Sequence, residues 1–150
     1  MPDGVYAEPT GDLGASFFAD SRIAASGRHS LRLRTARADQ GVRVSLTRRA
    51  TGGTPNATQL SLSLRALTHA PSATLAVSLS SRGFSPSCCD DAAPTPLTWA
   101  GGDTLAFQEL SVAFQLPPDC ASVTWCEPSL MLATAGATAW IDDVVMEIVE

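Results

Sequence analysis

From His29 to the C-terminus, apolar residues return at every second position, and this periodicity commits the chain to strands. His29 to Thr35 reads HSLRLRT, with Leu31 and Leu33 on one face. Val42, Val44 and Leu46 repeat the pattern against Arg43, Ser45 and Thr47. Leu60, Leu62 and Leu64 follow, then Leu75, Val77 and Leu79. Leu110, Val112, Phe114 and Leu116 come next. Val123 with Trp125, Leu130 with Leu132, and Val144 with Met146 and Ile148 complete the series. Turn chemistry separates the runs, at Ala38-Asp39-Gln40-Gly41, Thr51-Gly52-Gly53-Thr54-Pro55, His69-Ala70-Pro71-Ser72, Pro117-Pro118-Asp119 and Ala135-Gly136. No stretch long enough for a stable helix carries a helical stripe. Eight or nine short strands spaced in this way predict an all-β antiparallel sandwich. Between Ser81 and Asp103 the alternation lapses, and the spacing predicts a long irregular loop holding Cys88, Cys89 and three prolines.

The 150 residues suffice for one core, so the expected organisation is a single domain over 1–150, with 1–19 as a lead-in strand. No apolar run approaches the roughly eighteen residues of a membrane helix. Met1-Pro2-Asp3 leads into polar residues without a basic start or an apolar signal core. That fits a domain cut from a longer precursor, or a Met added for expression. Net charge is −5 and every basic residue is Arg. Seven of them fall between Arg22 and Arg48. Arg32 and Arg34 alternate with Leu31 and Leu33, and Arg43 lies between Val42 and Val44, so the cluster reads as a solvated strand face. An acidic protein with dispersed Arg is a poor candidate for binding nucleic acid.

The final stretch, ATAWIDDVVMEIVE, places Asp142 and Asp143 side by side inside an apolar, β-branched strand. Burying an unpaired carboxylate is costly. At least one of the two therefore needs a fixed partner: a cation, an Arg or backbone N–H groups. Cys88, Cys89, Cys120 and Cys126 form an even set without the CxxC spacing of zinc sites, and His29 and His69 lie far upstream. Disulfides are the expected use. Vicinal cysteines rarely bridge each other, which favours Cys88 and Cys89 pairing with Cys120 and Cys126, a Cys120–Cys126 bridge being the alternative. Asn56-Ala57-Thr58 is a glycosylation sequon and, with the cysteines, indicates a secreted or extracellular setting.

Three stretches in series resemble jelly-roll carbohydrate-binding modules of the galactose-binding-like group, which includes xylan- and glucan-binding modules. Ala25-Ser26-Gly27-Arg28-His29-Ser30-Leu31-Arg32-Leu33 is similar to their "SGkhSLrl" strand. Phe107-Gln108-Glu109-Leu110 with Val112 and Phe114 resembles "W.elsvtF", with Phe where Trp is usual. Ala139-Trp140-Ile141-Asp142-Asp143-Val144 resembles the closing "vyIDDV". The resemblance covers about residues 20 to 150 and implies an eight- or nine-stranded jelly roll. It implies a structural calcium held by Asp142 and Asp143, with carbonyls from Ser26 to Ser30 and with Glu8, since calcium takes six to eight oxygens. Without a metal, one aspartate would instead cap backbone N–H groups.

Sugar sites need aromatic platforms beside polar groups that read hydroxyls. Trp125 next to Cys126, and Trp99 and Phe84 on the 81–103 segment, are the candidates, while Trp140 reads as packing. The chain carries three Trp, one Tyr and five Phe, which is few for such a module. Neither His29 nor His69 sits in a nucleophile context, and Asp90-Asp91 reads as a solvated turn. The expected function is a non-catalytic glycan-binding module of a secreted or cell-surface protein, attached to other domains. The rival is a structural or protein-interaction sandwich without sugar binding.

Overall fold

The structure, a computed structural model, describes residues 5–10, 16–35, 41–46, 49–50, 59–80, 94–102, 106–115 and 125–149. Side chains are described for 19–35, 59–79, 94–102, 106–115 and 128–147. Eleven strands appear among these residues, and no helix. They are β1 (Val5–Thr10), β2 (Ser16–Asp20), β3 (Ser30–Arg34), β4 (Gly41–Leu46), β5 (Arg49–Ala50) and β6 (Gln59–Thr68). β7 (Ser72–Ser80), β8 (Thr95–Ala100), β9 (Gln108–Gln115), β10 (Trp125–Leu132) and β11 (Thr138–Val149) follow. One sheet runs β1-β4-β10-β7-β8, with β5 beside the start of β10; the other runs β2-β3-β11-β6-β9. Every pairing is antiparallel.

Alternation explains the core. Leu31 and Leu33 of β3, Leu60, Leu62, Leu64 and Ala66 of β6, and Ala139, Ile141 and Met146 of β11 face inward from one sheet. Ala73, Leu75, Val77 and Leu79 of β7, with Leu130 and Leu132 of β10, face them from the other. Each fully buried leucine contributes about 2 kcal/mol of transfer free energy. β6 departs from the pattern at its end, where Ala66, Leu67 and Thr68 are all buried.

The strand count exceeds the expected eight or nine for identifiable reasons. The 16–20 segment reads SFFAD, without alternation, yet pairs along its length with β3. The segment expected to be a loop from Ser81 to Asp103 contains β8, which pairs with β7 from Thr95 to Ala100. Pro96 breaks the strand signature but is tolerated because β8 is the edge of its sheet. In the opposite direction, the runs around Trp125 and Leu130 are one strand, β10. Its Pro128 falls between Cys126, paired with β5, and Ser129, paired with β4.

Candidate functional site

The closing strand β11 and the 21–29 loop between β2 and β3 meet at Asp142. Its Oδ2 accepts the N–H of Ala25 at 2.7 Å and that of Ser26 at 3.1 Å, and its Oδ1 accepts the N–H of Asp143 at 2.8 Å. Asp143 Oδ1 accepts the Ser26 hydroxyl, and Arg65 Nη1 lies 3.6 Å from Asp143 Oδ2. A bulge interrupts the β11–β6 register between Asp142 and Val145. Asp143 sits in it with φ +49°, a left-handed conformation that Asp adopts more readily than most residues. The bulge turns both carboxylates toward the loop. It also leaves Val144 exposed, although alternation placed it on the same face as Met146.

Asp142 and Asp143 offer the carboxylate oxygens that calcium takes. Among the described residues they meet amide hydrogens, a hydroxyl and a guanidinium, and these residues hold no group of three His, Cys, Asp or Glu. Glu8 lies on β1, in the other sheet, in register with Arg43; its side chain is outside the described residues.

Asp20, at the end of β2, anchors the other end of the loop. It is buried, its Oδ1 accepts the Arg22 N–H at 2.8 Å, and its Oδ2 accepts the Trp140 indole N–H at 3.0 Å. Arg32 Nη1 is 3.6 Å from the same oxygen. The Trp140 bond first, then the Arg22 N–H, hold the Asp20 carboxyl below its ordinary value of 3.8; burial opposes them, and the charges of Arg32 and Arg22 add to the lowering. A lowered carboxyl stabilises the fold above the unfolded-state value, and this contribution is lost as pH falls through the folded-state value. Replacing Asp20 by Asn is therefore expected to lower Tm by about 5 °C at neutral pH. The gap should close in melts below about pH 4, and a gap constant with pH would rule out this role for the ionised carboxylate.

Trp140 is 6 % exposed but does not join the main core. It is in register with Arg32 and Leu67 on the outer face of its sheet, where the His69 ring meets it edge-on at 5.1 Å between centroids. Trp99 corrects its expected place. It lies on β8, 3 % exposed, inside the main core and not on the rim of a site. Its indole N–H has no hydrogen-bond partner among the described residues. Trp125 and Cys126 open β10, with side chains outside the described set. Phe84, Asn56, Cys88, Cys89 and Cys120 lie outside the described residues, as do Asp90 and Asp91.

Between these anchors the 21–29 loop forms an open recess of about 570 Å³ lined by Ser21, Arg22, Ala24, Gly27, Arg28 and His29. Ser30 Oγ donates to the Ile23 carbonyl, which ties the loop across its middle. Arg22, Arg28 and His29 are exposed. Such a recess presents hydrogen-bond donors and positive charge on a backbone that is already fixed. Sequence reasoning grouped Arg22 and Arg28 with the strand-face arginines. The available signal was that SRIAASGRHS shows no alternation, unlike the HSLRLRT that overlaps it.

No protein-family model matches the chain, and no curated protein matches it. Solved structures do. The chain is similar to the CBM22-1 xylan-binding domain of Paenibacillus barcinonensis Xyn10C, at 18 % identity and a TM-score of 0.59, over 100 % of this chain and 88 % of that one. It is similar to the CBM22-1–GH10 modules of the Clostridium thermocellum xylanase Xyn10B, complexed with xylohexaose, at 12 % identity and a TM-score of 0.66. That match covers 99 % of this chain and 26 % of that one. It is also similar to the enzymatically active domain of tailspike protein 4 of bacteriophage CBA120, at 14 % identity and a TM-score of 0.66, over 98 % of this chain and 20 % of that chain. The chain thus spans about a fifth of the tailspike domain and about a quarter of the xylanase modules. These likenesses establish architecture: the protein has the jelly-roll β-sandwich fold found in carbohydrate-binding modules.

Proposed function

We propose that the protein is a non-catalytic glycan-binding module of a secreted or cell-surface protein, working beside other domains of a longer chain. The observation that carries this reading is the likeness along the whole chain to a domain that binds xylan. The likeness to modules joined to a GH10 domain supports an accessory role next to a catalytic partner. The even set of cysteines and the Asn56 sequon support the extracellular setting. Retardation of the protein in native gels cast with neutral and acidic plant, algal and bacterial polysaccharides tests the reading. The expected result is slowed migration with at least one polymer, and migration unchanged by all of them would overturn it.

One observation favours the rival, a sandwich that spaces or docks neighbouring domains without holding sugar. None of the described Trp or Phe side chains is exposed: Trp99, Phe114 and Trp140 are buried and Phe107 is half-buried. Stacking platforms of the usual kind are thus absent among the described residues. If a glycan is held there, hydrogen bonds and charge must do more of the work than ring stacking.

A further inference from the structure

We propose that the recess in the 21–29 loop is an oxyanion-binding subsite, and that the glycan it recognises is acidic, a uronate or a sulfated saccharide. This rests on the glycan reading above and names its ligand class. Two features support it: positive groups that have no partner among the described residues, and a prefixed backbone.

The positive groups come first. Arg22 and Arg28 carry the charge; they line the recess beside His29, and all three are exposed. Among the described residues, the acids within reach of the loop are committed elsewhere. Asp20 is bonded to the Arg22 backbone, Trp140 and Arg32, and its interaction with the Arg22 guanidinium is only through space. Asp142 is filled by Ala25, Ser26 and Asp143 amides, and Asp143 takes Ser26 and Arg65. Among the described residues, neither the Arg22 nor the Arg28 side chain has an ion pair or hydrogen bond. Guanidinium forks match carboxylate and sulfate geometry in a way that a neutral hydroxyl does not reproduce.

The backbone is the second point. The loop is held at Arg22 by Asp20, at Ile23 by Ser30, and at Ala25 and Ser26 by the aspartate pair. Gly27 turns between them with φ +61°, where a side chain would meet open space but a strained backbone. Little ordering therefore remains to be done when a ligand arrives, which favours affinity from few contacts. A nucleic acid is the less suitable polyanion. The chain carries −5 overall, and the described residues offer no exposed Trp or Phe on which bases could stack.

The test compares polygalacturonate, its fully methyl-esterified form and a sulfated galactan by affinity electrophoresis and calorimetry. The Arg22→Ala/Arg28→Ala double variant is run in parallel. Both side chains are exposed, so the variant should melt within about 1 °C of the parent. The esterified polymer has the same backbone without the charge. We expect at least one acidic polymer to bind about tenfold more tightly than the ester, and the double variant to lose about tenfold of that affinity. Preference for the carboxylate polymer would assign a uronate, and preference for the sulfated one a sulfate ester. Equal binding of acidic and esterified polymers, or acidic binding unchanged in the double variant, overturns the proposal while leaving a glycan-binding module. Absence of binding to every polysaccharide overturns both.

Discussion

Replacing Asp142 by Ala is expected to lower Tm by about 10 °C and to release the 21–29 loop. The half-buried carboxylate accepts three backbone N–H groups, two of them more than a hundred residues away in sequence. Hydrogen bonds to a charged acceptor contribute about 1.5–3 kcal/mol each, and three on one group add less than proportionally. A combined loss of about 3 kcal/mol corresponds to the stated shift for a chain of this size. Amide exchange at Ala25 and Ser26 should accelerate in the variant. Asn, which keeps one acceptor oxygen, should retain part of the stability. A Tm shift under about 2 °C would show that Asp142 does not hold the loop. Melting the parent with and without a chelator tests the calcium that the resemblance implies: a lowered Tm would place a metal at this junction, and an unchanged Tm would remove it.

Gly101→Ala is expected to cost as much or more, with no bearing on the loop. Gly101 follows β8 and donates its N–H to the Pro71 carbonyl at 3.1 Å. A Cβ there would land inside the van der Waals shells of the Ala70 and Thr68 carbonyl oxygens. Both are backbone atoms, so the obstruction cannot be relieved by a side-chain rotation. The β6–β7 turn would have to move away from β8, at a cost of about 3–4 kcal/mol, or roughly 10 °C in Tm. Calorimetry of the variant measures this directly. A variant that melts within about 2 °C of the parent would mean that β8 can leave the turn without penalty.

The sandwich was legible because its inward faces are long runs of leucine at every second position, and β3, β6 and β7 obey them. β8 was hidden by Pro96, which is harmless because no described strand pairs with that edge, a fact of topology. The need for a fixed partner at Asp142 and Asp143 was legible from the cost of burying charge. The identity of the partners was not, since it depends on which atoms of a loop 117 residues upstream point inward. Trp140 was legible as buried, yet its covering comes from Asp20 and His69 on the outer face. Trp99 read as a loop residue only for as long as β8 went unseen. Arg22 and Arg28 were absorbed into a strand-face cluster because composition alone does not separate a loop arginine from its strand neighbours.

The irregularity in β11 has a consequence for how this chain tolerates insertions and deletions. From Asp142 to Val145 the strand advances three residues while its partner β6 advances two, from Arg65 to Ser63. Parity therefore switches across it: even-numbered Trp140 looks out, and even-numbered Met146 looks in. Deleting one residue between 142 and 145 would restore a uniform ladder and keep Met146 opposite Leu62, facing the core, but it would remove the bulge that turns the two carboxylates toward the 21–29 loop. The supernumerary residue thus serves the grip on the loop and not the leucine layer, and its removal should free the loop while leaving the inward face of the last strand as it is.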